Sequence, residues 1–358
     1  MEPYIYLRVL KHADYTVFCV EKMNNKTVQK TYIDPLFNGR PVAYSSGQQV
    51  KRSILQTLVD SLGEQLAPVT FNYNINKNQA LENKEPWSPC DPNFVDQLLG
   101  GWMQAKAGDS ITKKRRSPLS ISAMRPLHPL LVSVNKEDLT FDRSDRPDNN
   151  PIIVRMEGRD EPLTEEEIET YLLSHERTIP RRSWIPDQQR TTGLFVFDVA
   201  IDLRRLFSVS TNQHEPEIST EMIEVLKGKG WIVSKNIFGE CLVMPKERRD
   251  EIIPALSHAL LNWRITSNQA RTFSLMETLA VAISDNANTI PGAIRAKLIE
   301  EGERQTARPL IDETAGAEVF VTLPCASYIV TENESADALN AAEEKLIHMM
   351  NSFDYENQ

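Results

Sequence analysis

The chain has 358 residues, which is enough for one large domain with an insertion or for two domains. Its formal net charge of −10 excludes a protein that coats nucleic acid through bulk positive charge, although a local group of Lys and Arg can still bind phosphate. The four cysteines are too scattered for a disulfide framework or a zinc site, and no apolar run approaches 18 residues. We therefore expect a cytoplasmic protein that spans no membrane and holds neither a metal nor a cofactor.

Charge is segregated along the sequence. Residues 1–60 carry eight Lys or Arg against five Asp or Glu, and residues 105–130 carry six against one. Residues 136–170 instead carry five against twelve, and residues 331–358 carry one against seven. The two basic stretches are the places where contact with phosphate is expected, whereas the acidic stretches are typical of solvated faces.

The first half of the chain begins with short β-type runs at 4–10 and 15–21. A helix is predicted at about 47–62, where a capping box is followed by the apolar stripe of Val50, Ile54, Leu55, Leu58 and Leu62. A second helix follows the Asp91-Pro92 start signal. Three prolines make residues 117–134 extended rather than helical.

In the second half, Thr164 and Glu167 form a capping box that opens a short helix. The clearest strand is 193–203, in which Asp198 and Asp202 lie opposite an apolar face made by Phe195, Phe197, Val199, Ile201 and Leu203. Further elements are predicted as helices at about 219–228, 247–264 and 336–352, and as strands near 231–234, 239–244 and 318–323. Because helices and strands alternate without regular βαβ spacing, the predicted fold class is α+β.

The stretch SSGQQVKR, residues 45–52, indicates a phosphate-binding site. A helix start offers free N–H groups and the positive end of the helix dipole, and helical side chains lean back towards it. The residues expected to contact the anion are Ser45, Ser46, Gly47, Gln48, Gln49, Lys51 and Arg52. The alternative is a structural lysine that merely extends past the apolar stripe to water.

Other stretches carry cations in positions suited to a nucleic-acid backbone. TKKRRSPLSIS (112–122) has four consecutive cations, and SNQARTFS (267–274) sets an arginine among small polar residues. The further candidate cations are Arg40, Lys114, Arg115, Arg116, Arg125, Arg182 and Arg271. Tyr44, Trp184 and Phe273 are candidates for stacking on bases. A solvated basic loop and aromatic core packing are the alternatives.

These stretches resemble, in order and combination, the RAMP superfamily of CRISPR-associated proteins. The similar segments are IDPLFNGRPVAYSSGQQVKRSILQTL (33–58), DQLLGGWM (96–103), RRSPLSISAMRPLHPLL (115–131), GLFVFDVAIDLRRL (193–206) and NQARTFSLMETLAVAIS (268–284). Within the superfamily they are most similar to the DevR-like backbone subunit, the seventh Cas family, of class 1 Cascade-type effector complexes.

This resemblance implies a modified RRM-like (ferredoxin-type) palm with a long thumb or finger insertion. The palm, with peripheral helical elements, would comprise 1–135 and 193–330, the thumb-like insertion 136–192, and an acidic C-terminal helix and tail 331–358. Such a subunit oligomerises along a CRISPR RNA in an antiviral surveillance complex and binds other Cas subunits. It presents the guide for pairing with target nucleic acid, DNA rather than RNA, and leaves sequence recognition to that pairing.

The resemblance also implies a subunit without catalysis. Slicing members of the superfamily carry an acid upstream of a stretch similar to residues 34–41, and the matching residues 26–30 (KTVQK) contain no carboxylate. One alternative is a metal-dependent ribonuclease subunit that slices target RNA, with Asp34 or the pair Asp198 and Asp202 as ligands. Another is a guide-precursor processing endoribonuclease with His12 or His128 as its base. A metabolic enzyme is a further alternative, although GxGxxG, P-loop, HExxH and GxSxG motifs are all missing.

Overall fold

The computed structural model describes residues 2–23, 26–37, 41–105, 112–143, 150–265, 274–300 and 305–358. The chain divides into two compact units. Unit 1 comprises Met1–Val134 and Thr191–Gln358, and unit 2 comprises Asn135–Arg190. Unit 2 overlaps residues 136–192, the stretch in which the resemblance implies an insertion.

Both helices and strands are well represented, which confirms the predicted α+β class. The helices among the described residues are α1 (Gly47–Leu62), α2 (Val95–Gly100), α3 (Glu165–Ser174), α4 (Leu203–Leu206), α5 (Thr220–Gly228), α6 (Lys246–Asn262), α7 (Ile290–Ala293) and α8 (Ala338–Asn351). The strands there are β1 (Tyr4–Thr16), β2 (Val20–Met23), β3 (Lys26–Gln29), β4 (Thr31–Ile33), β5 (Pro41–Ala43), β6 (Tyr73–Ile75), β7 (Leu81–Asn83), β8 (Trp102–Gln104), β9 (Lys113–Arg115), β10 (Leu119–Ile121), β11 (Arg125–Pro126), β12 (Val132–Asp142), β13 (Arg182–Asp202), β14 (Ser208–Ser210), β15 (Ile232–Asn236), β16 (Gly239–Val243), β17 (Thr278–Ser284), β18 (Ile294–Ile299), β19 (Thr306–Ile311), β20 (Glu318–Thr322) and β21 (Glu334–Ser335). None of the described helices is long and apolar enough to cross a membrane.

The largest sheet has the strand order β10-β13-β1-β17-β20-β21. β1 lies between β13 and β17 and is antiparallel to both, so that Val9 faces Phe197 on one side and Val281 on the other. The alternation predicted for residues 193–203 is confirmed, because Phe195, Phe197, Val199 and Ile201 are all buried in one core cluster. The inward face of this strand could be predicted because the side chains of a strand alternate between its two faces.

Helices α1 and α6 pack together on this inward face, and their apolar side chains join the same cluster as those of the sheet. The bounds predicted for α1 are confirmed. The Ser46 hydroxyl accepts the N–H of Gln49 at 3.3 Å, and Gly63 ends the helix in the left-handed conformation (φ 66°). The predicted stripe is buried along Val50, Ile54, Leu55 and Leu58, with Leu62 packed at its end.

The opposite face of the sheet is also covered. Side chains from β1, β13 and β17 form a second cluster there with residues of α7 and β18. Arg8 forms a two-pronged ion pair with Asp198 at 2.6 and 3.0 Å and donates to the carbonyl of Ile294 at 3.2 Å. Asp202 accepts two bonds from the Arg204 guanidinium at 2.8 and 3.0 Å. Both aspartates thus lie opposite the apolar face, as predicted, and are held there in ion pairs with arginines.

An unpredicted hairpin, β6–β7, exposes an apolar face. Phe71, Tyr73 and Ile75 alternate along it, with Ile75 opposite Leu81, and each of these side chains is more than half exposed. The strict alternation of apolar and polar residues in VTFNYNI (69–75) is a strand signal that is visible in the sequence.

The C-terminal segment belongs to unit 1 rather than standing apart. Helix α8 packs against α6 and β20. Beyond it Tyr355 is buried, and the Glu356 carboxylate pairs with Arg249 at 2.7 Å. The Glu356 carbonyl also accepts the Ser234 hydroxyl at 2.6 Å. The tail is thus fixed to the core by both packing and polar contacts.

Unit 2, described by itself, contains α3 and the adjoining parts of β12 and β13. The capping box of Thr164 and Glu167 is formed as predicted. No residue of α3 is buried. Arg182 pairs with Asp142 at 2.7 Å, and the buried Arg190 pairs with Glu137 at 3.2 Å.

Candidate nucleic-acid interface

Two stretches that are well separated in the sequence, 45–52 and 117–124, cross each other at the start of α1. Ser45 and Met124 exchange two backbone hydrogen bonds of 2.9 Å. A Cβ atom on Gly47 would lie 2.8 Å from the carbonyl oxygen of Ile121, closer than Cβ atoms tolerate. Glycine is therefore required at this position because the backbone of the second stretch passes directly over the helix start.

Lys51 joins the two stretches instead of facing outwards. Its ammonium group donates to the Ser117 hydroxyl at 2.6 Å, to the Gly100 carbonyl at 2.8 Å and to the Leu119 carbonyl at 3.3 Å. Burial, and secondarily the charge of Arg115, lowers the pKa of this ammonium to about 8. Because all three N–H donors already have protein acceptors, the assignment of Lys51 to phosphate binding is corrected to a structural role.

The other residues of the predicted phosphate-binding site differ in their burial and hydrogen bonding. Ser45 is fully buried, which corrects its assignment as a phosphate contact. The Ser46 hydroxyl is used as the helix cap, and the Ser46 N–H lies 3.4 Å from the sulfur of Cys19. Gln48 and Arg52 are exposed, and Gln49 is half-buried. Of the predicted phosphate-binding site, the residues that face outwards are therefore Gln48, Gln49 and Arg52.

Arg52 faces a groove of about 560 Å³ between α1 and the end of α6. This groove, here called the α1–α6 groove, is lined by Gln49, Arg52, Ser53, Gln56, Thr57, Asp60, Asn262 and Arg264. Both arginines are exposed, and neither forms an ion pair or hydrogen bond with any described residue. Asp60 is the one carboxylate among the described lining residues, and it accepts a bond from Gln56 at 2.8 Å. The groove thus presents two uncommitted guanidinium groups beside the Gln49 amide, whereas Gln56, Thr57 and Asn262 donate within the protein.

The basic tetrad 113–116 is divided by strand alternation, because its first three residues form β9. Lys114 and Arg116 are exposed. Arg115 points inwards and is only 3% exposed; it donates to the carbonyls of Arg116, Arg205 and Ser208 at 3.0, 2.7 and 3.0 Å. Burial lowers the pKa of its guanidinium to about 10. The assignment of Arg115 to RNA contact is therefore corrected to a structural role.

The exposed members of the tetrad line a second groove of about 550 Å³. This groove, here called the β9 groove, is lined by Thr112, Lys114, Arg116, Arg205, Ser210, Asn212, His214, Glu215, Pro216, Glu217 and Phe238. Arg205 and Phe238 are not among the residues predicted from the sequence. The Arg204-Arg205 pair directly after a well-predicted strand was a usable signal, whereas nothing local connects Phe238 to this region.

The remaining predicted contacts are scattered. Arg125 is 44% exposed in its side chain and lies 3.5 Å from Asp198. Arg182 and the exposed Trp184 belong to unit 2. Tyr44 packs edge-on against Tyr32. Three further predicted residues lie outside the described residues, namely Arg40, Arg271 and Phe273.

The groups that could serve catalysis are engaged in local contacts. Asp34 accepts the N–H of Leu36 at 2.9 Å, as expected for a turn-forming aspartate. His128 accepts the N–H of Leu130 at 3.2 Å, and burial lowers the pKa of its imidazole. His12 contacts Glu277 at 2.9 Å and the Tyr328 hydroxyl at 3.1 Å. Within the described ranges no three His, Cys, Asp or Glu side chains converge as a metal site.

Comparisons with known proteins identify structural likeness only. No family model matches the sequence, and no curated protein matches it. The chain is similar in structure to a chain of the "CRISPR RNA-guided surveillance complex, pre-nicking", with 11% identity and a TM-score of 0.45 over 97% of this chain and 89% of that one. It is also similar to a chain of the "CRISPR RNA-guided surveillance complex", with 11% identity and a TM-score of 0.38 over 97% of this chain and 84% of that one. Likeness at these TM-scores does not define a function, which must be inferred from the chain's own residues.

Proposed function

We propose that this chain is a guide-RNA-binding backbone subunit of a CRISPR effector complex, without catalytic activity of its own. Copies of the chain would oligomerise along the CRISPR RNA and present it for pairing with target DNA, together with other Cas subunits. The observation that carries this proposal is the crossing of residues 45–52 and 117–124 at the start of α1, which leaves Arg52 free in the α1–α6 groove. Both stretches lie within segments that carry the family resemblance.

The order of elements supports a modified RRM-like palm. Along the chain, β1 is followed by α1, β10, β13, α6 and β17, and in the sheet the order is β10-β13-β1-β17. All neighbours among these four strands are antiparallel, and the two helices pack on one face. This order supports the β-α-β-β-α-β arrangement of a ferredoxin-like palm. Unit 2 would then be the thumb, inserted between the second and third strands of the palm.

The electrostatics fit recognition of a backbone rather than of bases. Two guanidinium groups without partners among the described residues can each bind phosphate oxygens in a two-pronged geometry, and the Gln49 amide can donate to sugar or phosphate oxygens. Contacts of this kind carry no sequence information, which suits a subunit that must hold any guide. The acidic remainder of the surface would keep the unassembled protein soluble and restrict the guide to the α1–α6 groove.

The absence of catalysis is part of the proposal. Residues 26–30 contain no carboxylate. Asp198 and Asp202 are held in ion pairs with arginines, and Asp34 is used in its own turn. A metal ion would have to compete with these arginines for the two sheet aspartates. Incubating the assembled complex with complementary RNA and Mg²⁺ tests this point, and cleavage at regular intervals would favour the slicing alternative.

The guide-binding proposal is tested by co-expression with a CRISPR array, followed by quantification of the RNA that co-purifies. We expect RNA of uniform length with the wild type and reduced retention with Arg52→Ala/Arg264→Ala. Loss of two phosphate contacts on a single strand should lower the slope of log affinity against log salt by about 1.4. Lys229→Ala/Lys235→Ala removes two exposed lysines outside the grooves and serves as the control. An RNA-free monomer from the co-expression, or loss confined to particular guide sequences, would contradict the proposal.

A further inference from the structure

We propose that the β9 groove binds a second, unpaired nucleic-acid strand that is not the guide. This inference rests on the proposed function, because it assumes that the guide occupies the α1–α6 groove. It divides the predicted RNA contacts between two strands: Gln49 and Arg52 serve the guide, whereas Lys114 and Arg116 serve the second strand. It also assigns roles to Arg205 and Phe238, which are not among the contacts predicted from the sequence.

The α1–α6 groove and the chain segment that leads into the β9 groove lie on different sides of α1. At 100° per residue, the residues of α1 that line the α1–α6 groove are centred about 150° away from the direction of Lys51 and Leu55. Lys51 points at Ser117, and Leu55 meets Gly100, so this second side of the helix faces the chain segment that continues into Arg116 and Lys114. A helix about 10 Å across therefore separates the two sets of cations. One strand held in the first groove would have to pass around α1 to reach the second.

The β9 groove is built by buried contacts, unlike a loose group of surface lysines. Arg115 binds the backbone carbonyls of Arg116 and Arg205, which are the two residues that place guanidinium groups in the groove. Trp102 lies under the Arg115 guanidinium at 5.5 Å and donates its indole N–H to the Glu217 carbonyl at 2.7 Å. Arg115, which is nearly fully buried, therefore fixes the backbone at Arg116 and Arg205, whose side chains line the groove. We regard Arg115 as a positioning residue, since its own charge is turned away from the groove.

The charges that face the groove favour an anionic ligand. Lys114 and Arg116 are exposed and have no side-chain acceptor among the described residues. Of the two carboxylates among the described lining residues, Glu217 already pairs with Arg205 at 3.5 Å and accepts the N–H of Ser210 at 2.9 Å. Glu215 is exposed at the rim, and His214 adds positive charge only when protonated. Within this described lining, the uncommitted charge is thus two cations against one carboxylate.

The aromatic component favours a nucleic acid over an acidic protein. The Arg205 guanidinium lies 3.7 Å from the centre of the Phe238 ring, and Phe238 remains 44% exposed. An arginine stacked on an aromatic ring offers a flat platform on which a base can stack, and such stacking tolerates any base. Phosphate-binding cations next to a stacking platform form the arrangement that single-strand binders use. An acidic peptide would use the cations but not the platform.

The test measures second-strand binding on protein that is already loaded with guide RNA. The probe is fluorescein-labelled oligo(dT) of 16 nucleotides, which cannot pair with a guide chosen to lack adenine runs, and the readout is anisotropy at several salt concentrations. For Lys114→Ala/Arg116→Ala we expect weaker binding, a salt slope lower by about 1.4, and unchanged guide retention. For Phe238→Ala we expect weaker binding with an unchanged salt slope, because a base contact involves no counterion release.

The variant Arg52→Ala/Arg264→Ala, compared at equal guide loading, is the reciprocal control and should bind oligo(dT) as the wild type does. Wild-type complex that retains guide but does not bind oligo(dT) would overturn the inference and leave the proposed function standing. Loss of guide retention in the Lys114 and Arg116 variant would show that both grooves hold the guide, which also overturns it. If polyglutamate displaced oligo(dT) and Phe238→Ala did not weaken oligo(dT) binding, the ligand would instead be an acidic protein.

Discussion

Lys51 and Arg52 are adjacent cations of the same motif, and the structure gives them opposite roles that one pair of substitutions can separate. Lys51→Met keeps most of the apolar stem but removes the donor to the carbonyls of Gly100 and Leu119 and to the Ser117 hydroxyl. A carbonyl left without its donor costs about 1–3 kcal/mol, and part of this is offset because the cost of burying the ammonium is also removed. We therefore expect a loss of about 3 kcal/mol in the free energy of unfolding at pH 7.

The pH dependence of the same variant gives a second signature. The pKa of Lys51 falls from 10.5 in the unfolded chain to about 8 in the folded protein. Between these values the unfolded state binds more protons, so the wild type gains stability as the pH rises from 8 to 10.5. The gain is up to about 3 kcal/mol at 1.36 kcal/mol for each pH unit, and the methionine variant lacks it. The difference in free energy of unfolding between the wild type and Lys51→Met should therefore grow as the pH rises from 8 to 10.5.

The assay is urea or thermal unfolding of the RNA-free protein, with Arg52→Met as the matched control. Arg52 is exposed and has no partner among the described residues, so its substitution should change the free energy of unfolding by less than about 0.5 kcal/mol while lowering guide retention. At about 2–4 °C for each kcal/mol, Lys51→Met should lower the Tm by roughly 6–12 °C. If Lys51→Met left the Tm unchanged and released the guide, Lys51 would be a phosphate ligand and the geometry at the helix start would be refuted.

Three further substitutions test the packing at the start of α1, in the C-terminal tail and on the exposed face of β6. Gly47→Ala should destabilise by about 1–3 kcal/mol in urea unfolding, because the new methyl group meets the Ile121 carbonyl, whereas Gln48→Ala on the exposed side should be neutral. Tyr355→Ala should cost about 3–5 kcal/mol, since it removes a buried aromatic ring; an unchanged Tm would mean that the tail is not fixed to the core. Tyr73→Ser on the exposed face of β6 should stay within about 0.5 kcal/mol, and a large loss there would show that this face is covered.

Local periodicity was enough to place the main elements. The bounds of α1, its apolar stripe and the inward face of residues 193–203 follow from helical and strand spacings of about 3.6 and 2 residues, which are independent of the rest of the chain. The hairpin β6–β7 carries the same kind of signal in the alternation at 69–75, although it was not predicted. These elements of unit 1 could therefore be predicted from short windows.

The roles of individual cations could not be predicted in this way. Lys51 is held by Gly100, Ser117 and Leu119, about 50 to 70 positions away in sequence, and Arg115 is held by the carbonyl of Arg205, 90 positions away. Whether a cation faces a groove or a buried carbonyl depends on which distant backbone passes beside it. Amino-acid composition cannot distinguish a cation that faces a groove from one that faces a buried carbonyl, because it counts charges without their surroundings.

The sequence by itself determined the fold class, the principal helix and strand of unit 1, and the motifs that resemble a CRISPR-associated family, because each is a pattern among near neighbours. Only the tertiary structure decided that the two motif stretches cross at one helix start, that Lys51 and Arg115 are structural, and that Arg52 faces one groove whereas Lys114 and Arg116 face another. Burial decides these assignments: a charged group inside a fold is stable only where acceptors from distant segments surround it, and those segments meet only in the folded chain.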